Sequence, residues 1–308
     1  MLGLAACLLL LSSSALGATY MQSDKIVGAD FYNKFSFQAI PDPTHGRVNY
    51  VDQATAKAKN LTFASGNSFV LRADDTTVIS DSSSVGRNSV RIQSNKAYTT
   101  HAAVFDIAHM PQGCGWEVGP NWPAGGEVDI IEGVNDQGTN QVTLHTSPGC
   151  TMPATRTETG TSLSLDCNTA VNSNSGCGVK LAPATSYGPA FNKNGGGWYA
   201  LERTNSGISV WFWPRNALNV PSDVRSGLPA VNTGLWGTPS ATFPSTSCNI
   251  SKFFAANNIV INLTFCGDWA GNVYSSSGCP STCTSYVDQN PQAFAGAYFQ
   301  FNSINIYE

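Results

Sequence analysis

Gly125-Gly126-Glu127-Val128-Asp129-Ile130-Ile131-Glu132-Gly133 packs three carboxylates into a β-branched run, in a chain where only 12% of residues are charged. Strand side chains alternate with period two, so Glu127 and Asp129 share one face while Val128 and Ile130 point to a core. Simple alternation sends Glu132 to the core side, where an unpaired carboxylate costs several kcal/mol. One extra residue, a β-bulge around Ile130-Ile131, resets the parity and brings all three acids to one surface. Like charges a few ångströms apart split their pKa values, separating a proton-bearing acid from an ionised base or nucleophile. A glycosidase needs such a pair, with carboxyls ~5–5.5 Å apart for retention and ~6.5–9.5 Å for inversion. The four effective strand steps from Glu127 to Glu132 span roughly 13 Å of backbone at ~3.3 Å each. Retention therefore requires a concave strand whose side chains converge. A solvated acidic face, or an oxygen-donor site for a hard cation such as calcium, uses the same residue types.

Around this segment the chain reads as strands and turns. Short β-branched and aromatic runs recur at 47–51, 68–72, 90–92, 102–107, 126–131, 141–145, 198–203, 208–213, 258–265 and 298–307. Turn-rich stretches separate them, in a chain with 29 Gly and 16 Pro. Helical periodicity is nearly absent; one short helix is expected from Asn290, with Asn290 as N-cap and Pro291 in the first turn. Residues 151–196 are the least patterned and read as a long loop carrying Cys167 and Cys177. There is no repeat period and no low-complexity linker. The expectation is one all-β domain over residues 18–308, made of two packed antiparallel sheets.

Composition removes several function classes. With Lys+Arg 16 against Asp+Glu 20, the net charge is −4 and no basic run exists. Nucleic-acid binding needs clustered cations to neutralise phosphates, so it is excluded, as is a charge-driven membrane role. An uncharged surface rich in Asn, Ser, Thr and aromatics suits neutral hydroxylated ligands. Residues 1–17 read as a signal peptide, with Ala15 and Gly17 at the −3 and −1 positions of a cut before Ala18. The apolar run is too short to span ~30 Å of hydrocarbon. A secreted protein, extracellular or in the cell wall, is expected, with no membrane attachment after cleavage. Cys114, Cys150, Cys167, Cys177, Cys248, Cys266, Cys279 and Cys283 remain after removal of Cys7, an even number that suggests disulfides with the pairing open. Asn60, Asn249 and Asn262 head Asn-x-Ser/Thr sequons and are candidate glycosylation sites.

The acidic run resembles the active-site strand of glycoside hydrolase family 16, in its bulged Glu-x-Asp-x-x-Glu form. The segments 42–48, 86–91, 110–115, 143–146, 195–199 and 266–271 are similar to secreted fungal endo-1,3(4)-β-glucanases of that family. The resemblance covers essentially the whole chain after residue 17. It implies a β-jelly-roll sandwich of two curved antiparallel sheets with a substrate cleft on the concave one. It also implies endo-acting, retaining hydrolysis of 1,3- or mixed 1,3/1,4-linked β-glucan by a monomer that needs no metal or other cofactor. Glu127 would be the nucleophile, Glu132 the acid/base, and Asp129 the group that holds the nucleophile's protonation state. His145 would sit beside the row, Trp116, Trp122 and Trp269 would stack on sugars, and Arg91 would supply a hydrogen-bonding arm. One departure from the family's Gly-x-Trp-Pro-Ala-x-Trp pattern is that Gly115 runs directly into Trp116. The shortening implies a lost stacking tryptophan and a truncated cleft-lining strand, hence a weaker or less stable enzyme. Two other functions fit the same fold. A wall-remodelling transglycosylase uses identical chemistry with a sugar acceptor, and a carbohydrate-binding protein would need no paired acids.

Overall fold

The computed structural model describes residues 18–80, 85–114, 116–117 and 125–308. The signal-like segment, Trp122, the Trp116 side chain and the Gly115 junction lie outside the described residues. Two layers of strands enclose one apolar core, as the alternating runs require. Among the described residues the larger sheet has nine strands, in which Ala230–Asn232, Thr19–Ile26, Tyr298–Tyr307, His101–His109, Gly197–Thr204, Gly207–Pro214 and Ala241–Pro244 are successive neighbours. Ser68–Arg72 joins Tyr298–Tyr307 as a branch and is paired in turn by Thr62–Ser65. The opposite layer is divided among the described residues. One part runs Glu127–Glu132, Gln141–His145, Cys177–Lys180, Thr161–Ser162, and another Asn257–Asn262, Arg91–Tyr98, Phe35–Phe37. Trp116–Glu117 pairs with Thr264–Phe265. Every named pairing is antiparallel except Val48–Tyr50 with Arg87–Ser89.

The core between the layers takes Phe105, Ile107, Leu201 and Ile304 from one sheet and Ile92, Val142, Leu144 and Ile261 from the other. A second apolar cluster covers the far face of the large sheet. Trp198, Trp211 and Trp213 project from its strands and pack under Trp236, Val220 and Val224. Trp236 meets Trp211 and Trp213 edge-on at 5.2 and 6.1 Å. Strands covered on both faces lose the in–out alternation, which is why Gly197–Thr204 is buried at nearly every position.

Several local expectations change. The described helices are short, the longest being Cys283–Gln289. The helix expected from Asn290 is a single 3-10 turn, Pro291–Phe294, and the Asn290 amide does not cap it. That amide donates instead to the Tyr286 carbonyl at the end of the preceding helix, which also accepts from the Asn290 N–H. The stretch 151–196, expected to be a loop, contributes Cys177–Lys180 to the sheet that carries Glu127–Glu132, paired with Gln141–His145. Its polar, Gly-rich sequence gave no strand signal because the pairing is made by backbone. The cysteines pair as Cys114–Cys279, Cys150–Cys248, Cys167–Cys177 and Cys266–Cys283.

A cavity of about 470 Å3 lies between the edges of Glu127–Glu132 and Asn257–Asn262, lined largely by apolar groups such as Val128, Ile130, Ile259, Phe105 and Leu201. The two edges meet at one end, where Asn257 Nδ2 donates to the Gly126 carbonyl at 2.9 Å and Ala255 N donates to that of Gly125 at 3.0 Å.

Candidate active site

Gly126 introduces the acidic strand at φ +67°, and a Cβ there would lie 2.5 Å from the Phe253 carbonyl oxygen. Only glycine fits that turn against the neighbouring backbone. From it, Glu127 faces His145 and Asp129 faces Thr143 on the antiparallel neighbour. The register then slips, and Glu132 faces Gln141. Between Asp129 and Glu132 the acidic strand advances three residues while its neighbour advances two. That is the extra residue expected at Ile130-Ile131, and it returns Glu132 to the face shared by Glu127, Asp129, Thr143 and His145. Val128, Ile130 and Ile131 pack against the core instead.

The acids converge. Asp129 hydrogen-bonds Glu127, and the Glu132 charge acts on Glu127. Asp129, Glu132 and His145 place one donor atom each within 4.8 Å of one another. They form the one group of three potential metal-binding side chains among the described residues. Thr143 Oγ1 donates to Glu132 Oε2 at 3.3 Å. Glu127 is only 7% exposed, and burial pushes its carboxyl up to about 8, with Asp129 and Arg91 pulling the other way and Glu132 adding to the rise. Two adjacent carboxylates taken from water cannot both stay ionised, so the Glu127/Asp129 pair holds one proton.

His145 is consistent with that proton. Burial lowers its pKa, so the ring is neutral. Its Nδ1 bonds Asn174 Oδ1 at 3.0 Å. An amide oxygen only accepts, so Nδ1 carries the hydrogen and Nε2 presents its lone pair. That lone pair lies 3.4 Å from Asp129 Oδ2, an arrangement that favours a protonated Asp129. Asn174 ends a run of three left-handed residues, Asn172 to Asn174, inside the loop closed by Cys167–Cys177. Gly176 gives the ring its room, since a Cβ there would sit 2.8 Å from His145 Cε1.

Arg91 is near the row but is not an open arm. It is 2% exposed, and its Nε donates to Gln38 Oε1 at 2.8 Å. Its charge opposes the burial of Glu127, with Tyr50 and Asp42 also acting on it. Asp42 ties this corner together, accepting from Thr264 Oγ1, Thr44 Oγ1, Gly46 N and the Tyr50 hydroxyl. Trp269 is half-buried on a loop fastened at two points. Asp268 N donates to the Thr44 carbonyl at 2.9 Å, and Asn135 Nδ2 donates to the Ala270 carbonyl at 3.0 Å. Asn135 lies three residues past the end of the acidic strand, so the Trp269 loop is held near the strand's C-terminal end.

The sequons separate. Asn60 and Asn249 are exposed. Asn262 is 1% exposed, and its Nδ2 donates to the Tyr50 hydroxyl at 2.9 Å. A glycan on that nitrogen cannot coexist with this packing, so the expectation for Asn262 is corrected. The residues that sequence reasoning missed are Asn140, Asn174 and Gln38. Each reaches the site through a contact between elements, which no local pattern marks.

A two-layer antiparallel sandwich with a row of converging carboxyls on one layer is the architecture of a jelly-roll glycosidase. The profile described as "XgeA-like, catalytic GH16 domain" matches residues 35–307. Laminarinase 16A from Phanerochaete chrysosporium, solved with β-glucans in donor and acceptor sites, is 59% identical, with a TM-score of 0.92 over 94% of this chain and 100% of that one. An elongating family 16 β-1,3-glucosyltransferase is 38% identical, with a TM-score of 0.86 over 94% of this chain and 100% of that one. A probable endo-1,3(4)-β-glucanase of Aspergillus fumigatus is 42% identical over 97% of this chain and 48% of its own length. The chain spans between 41% and 70% of the length of the curated fungal relatives it matches. This chain belongs to glycoside hydrolase family 16, and its jelly-roll fold is that of the family's laminarinases.

Proposed function

We propose that this chain hydrolyses internal bonds of 1,3- or mixed 1,3/1,4-linked β-glucan by a retaining double displacement. The observation that carries this reading is the convergence of Glu127, Asp129 and Glu132 across the bulge, with one proton on the inner pair. With that proton on Asp129, Glu127 is ionised and attacks the anomeric carbon while Glu132 protonates the departing glycosidic oxygen. The product is a glycosyl ester on Glu127 and a free sugar hydroxyl. Esterification removes the Glu127 charge, which lowers the Glu132 pKa and suits it to act as base. Glu132 then takes a proton from water, the hydroxide attacks the anomeric carbon, and Glu127 leaves as carboxylate. Trp269 supplies a stacking face at the end of the strand, and Arg91 acts on the nucleophile's charge rather than on the sugar. The protein works outside the cell, a setting that its four disulfides favour.

The 38% identical glucosyltransferase supports a second reading, in which a sugar hydroxyl replaces water in the second step. The higher identity to a laminarinase favours hydrolysis. Incubation with laminarin and with lichenan, followed by product sizing and by the anomeric configuration of the first products, tests both. Short β-anomeric oligosaccharides support the hydrolase. Redistribution toward longer chains supports the transferase, and no change in either polymer overturns both.

A further inference from the structure

The bulge that aligns Glu132 leaves backbone groups out of the ladder, because two residues of the acidic strand oppose one on its neighbour. Buried backbone groups of this kind need partners. One side chain supplies two of them. Asn140 Oδ1 accepts from the Glu132 N–H at 2.9 Å, and Asn140 Nδ2 donates to the Ile130 carbonyl at 2.8 Å. The amide spans Ile131 and replaces the ladder hydrogen bonds that the bulge removes.

Asn140 is itself fixed. It is fully buried and stands immediately before Gln141–His145. Its N–H donates to Ser186 Oγ at 3.0 Å, and its carbonyl accepts from Leu181 N at 2.9 Å. Both backbone groups and both ends of the side chain are therefore engaged. An amide is the one short side chain with a donor and an acceptor at this spacing. Aspartate would keep the acceptor for Glu132 N but set an oxygen against the Ile130 carbonyl, and alanine would leave two buried backbone groups unpaired.

We propose that Asn140 is a positioning residue for catalysis, locking the bulge so that the Glu132 carboxyl stands over the glycosidic oxygen. The assignment rests on Glu132 being the acid/base. It differs from a general packing role in what it predicts. Loosening the bulge misplaces the proton donor but not Glu127, which enters the strand ahead of the bulge and is seated by Gly126 and His145. Displacements of about 1 Å at a reacting group cost on the order of a hundredfold.

The test compares wild type, Asn140→Ala, Asn140→Asp and Glu132→Ala on laminarin and on an aryl β-glucoside whose leaving group needs no protonation. Asn140→Ala is expected to lower kcat on laminarin about ten- to a hundredfold, with KM little changed and a much smaller loss on the aryl substrate. It should also move the alkaline limb of the laminarin pH profile, which reports the acid's ionisation. Asn140→Asp, assayed at acid pH where a protonated carboxyl keeps both a donor and an acceptor, is expected to be milder, and it is the variant to read if the alanine protein does not fold. Equal losses on both substrates with an unshifted limb overturn the proposal and leave Asn140 a structural residue. If Glu132→Ala also shows no dependence on the leaving group, the acid/base assignment itself falls. If Glu132→Ala shows it and the Asn140 variants do not, the positioning role alone falls.

Discussion

Replacing Glu127 by glutamine should abolish turnover and at the same time stabilise the fold, by an amount that grows with pH. The Glu127/Asp129 pair shares one proton, and burial, with the Glu132 charge adding to it, moves the loss of that proton from 4.5, the ordinary glutamate value, up to about 8 in the folded protein. Below pH 4.5 folded and unfolded chains both carry the proton, so the group imposes no pH-dependent cost. Between 4.5 and about 8 the unfolded chain releases the proton and the folded chain keeps it, so stability falls as pH rises. Above about 8 the difference is constant. At pH 6.5 the gap is two pKa units, about 3 kcal/mol at 1.36 kcal/mol per unit. Glutamine has the same shape and does not titrate, so it escapes this cost. For a domain of this size that corresponds to roughly 5 °C in Tm. The attraction between Arg91 and Glu127 is already contained in that gap, because it holds the carboxyl below the value that burial alone would give. The assay is a pair of thermal melts at intervals from pH 4.5 to 8.5, with laminarin hydrolysis measured on the same samples. The other titrating groups cancel in the difference between the two proteins, which should be small at acid pH and widen toward pH 8. Parallel curves would show that the Glu127/Asp129 pair holds no extra proton in the folded protein. Near-normal hydrolysis by the variant would remove it as nucleophile.

Native protein should contain no titratable thiol, and breaking Cys150–Cys248, which closes 98 residues, should cost about 4–5 kcal/mol in urea unfolding; two or more free thiols would contradict the pairing. Inserting Thr-Trp-Pro-Ala-Phe between Gly115 and Trp116 should raise Tm or laminarin kcat/KM. An added strand has the cavity of about 470 Å3 between Glu127–Glu132 and Asn257–Asn262 to fill, and one more stacking contact is worth about tenfold at ~1.4 kcal/mol. A fall in both quantities would mean that the shortened segment already packs well. Peptide mass mapping of protein secreted from a glycosylating host should find glycans only at Asn60 and Asn249, and a modified Asn262 in folded, active protein would refute the packing around Tyr50.

The acidic strand was readable because its information is short-range. Side-chain parity is a property of the backbone, and burying Glu132 was costly enough to require a bulge before any neighbour was known. The register slip between Asp129 and Glu132 bears this out. The sandwich class followed from strand runs and turn residues for the same reason. Strands with weak alternation were not readable. Thr19–Ile26, next to the edge strand Ala230–Asn232, is half exposed, and Cys177–Lys180 comes from a Gly-rich stretch, yet each takes its place through backbone hydrogen bonds that carry little sequence signature.

The amino-acid sequence by itself determined which three acids form the row, that the parity must be reset between Asp129 and Glu132, and that the chain has the family 16 pattern. Tertiary structure decided what surrounds them. It set His145 opposite Glu127, brought Arg91 from another strand and Gln38 from just past the end of a third, and turned Asn262 from a sequon into a buried hydrogen-bond donor. It also assigned Trp198, Trp211, Trp213 and Trp236 to the far face of the large sheet, and held Trp269 near the acidic strand through Asn135. The physical reason is range. Pattern within a strand is fixed by covalent geometry over a few residues. Which strands become neighbours, and so which side chains share a desolvated pocket, depends on how the whole sandwich buries its apolar faces.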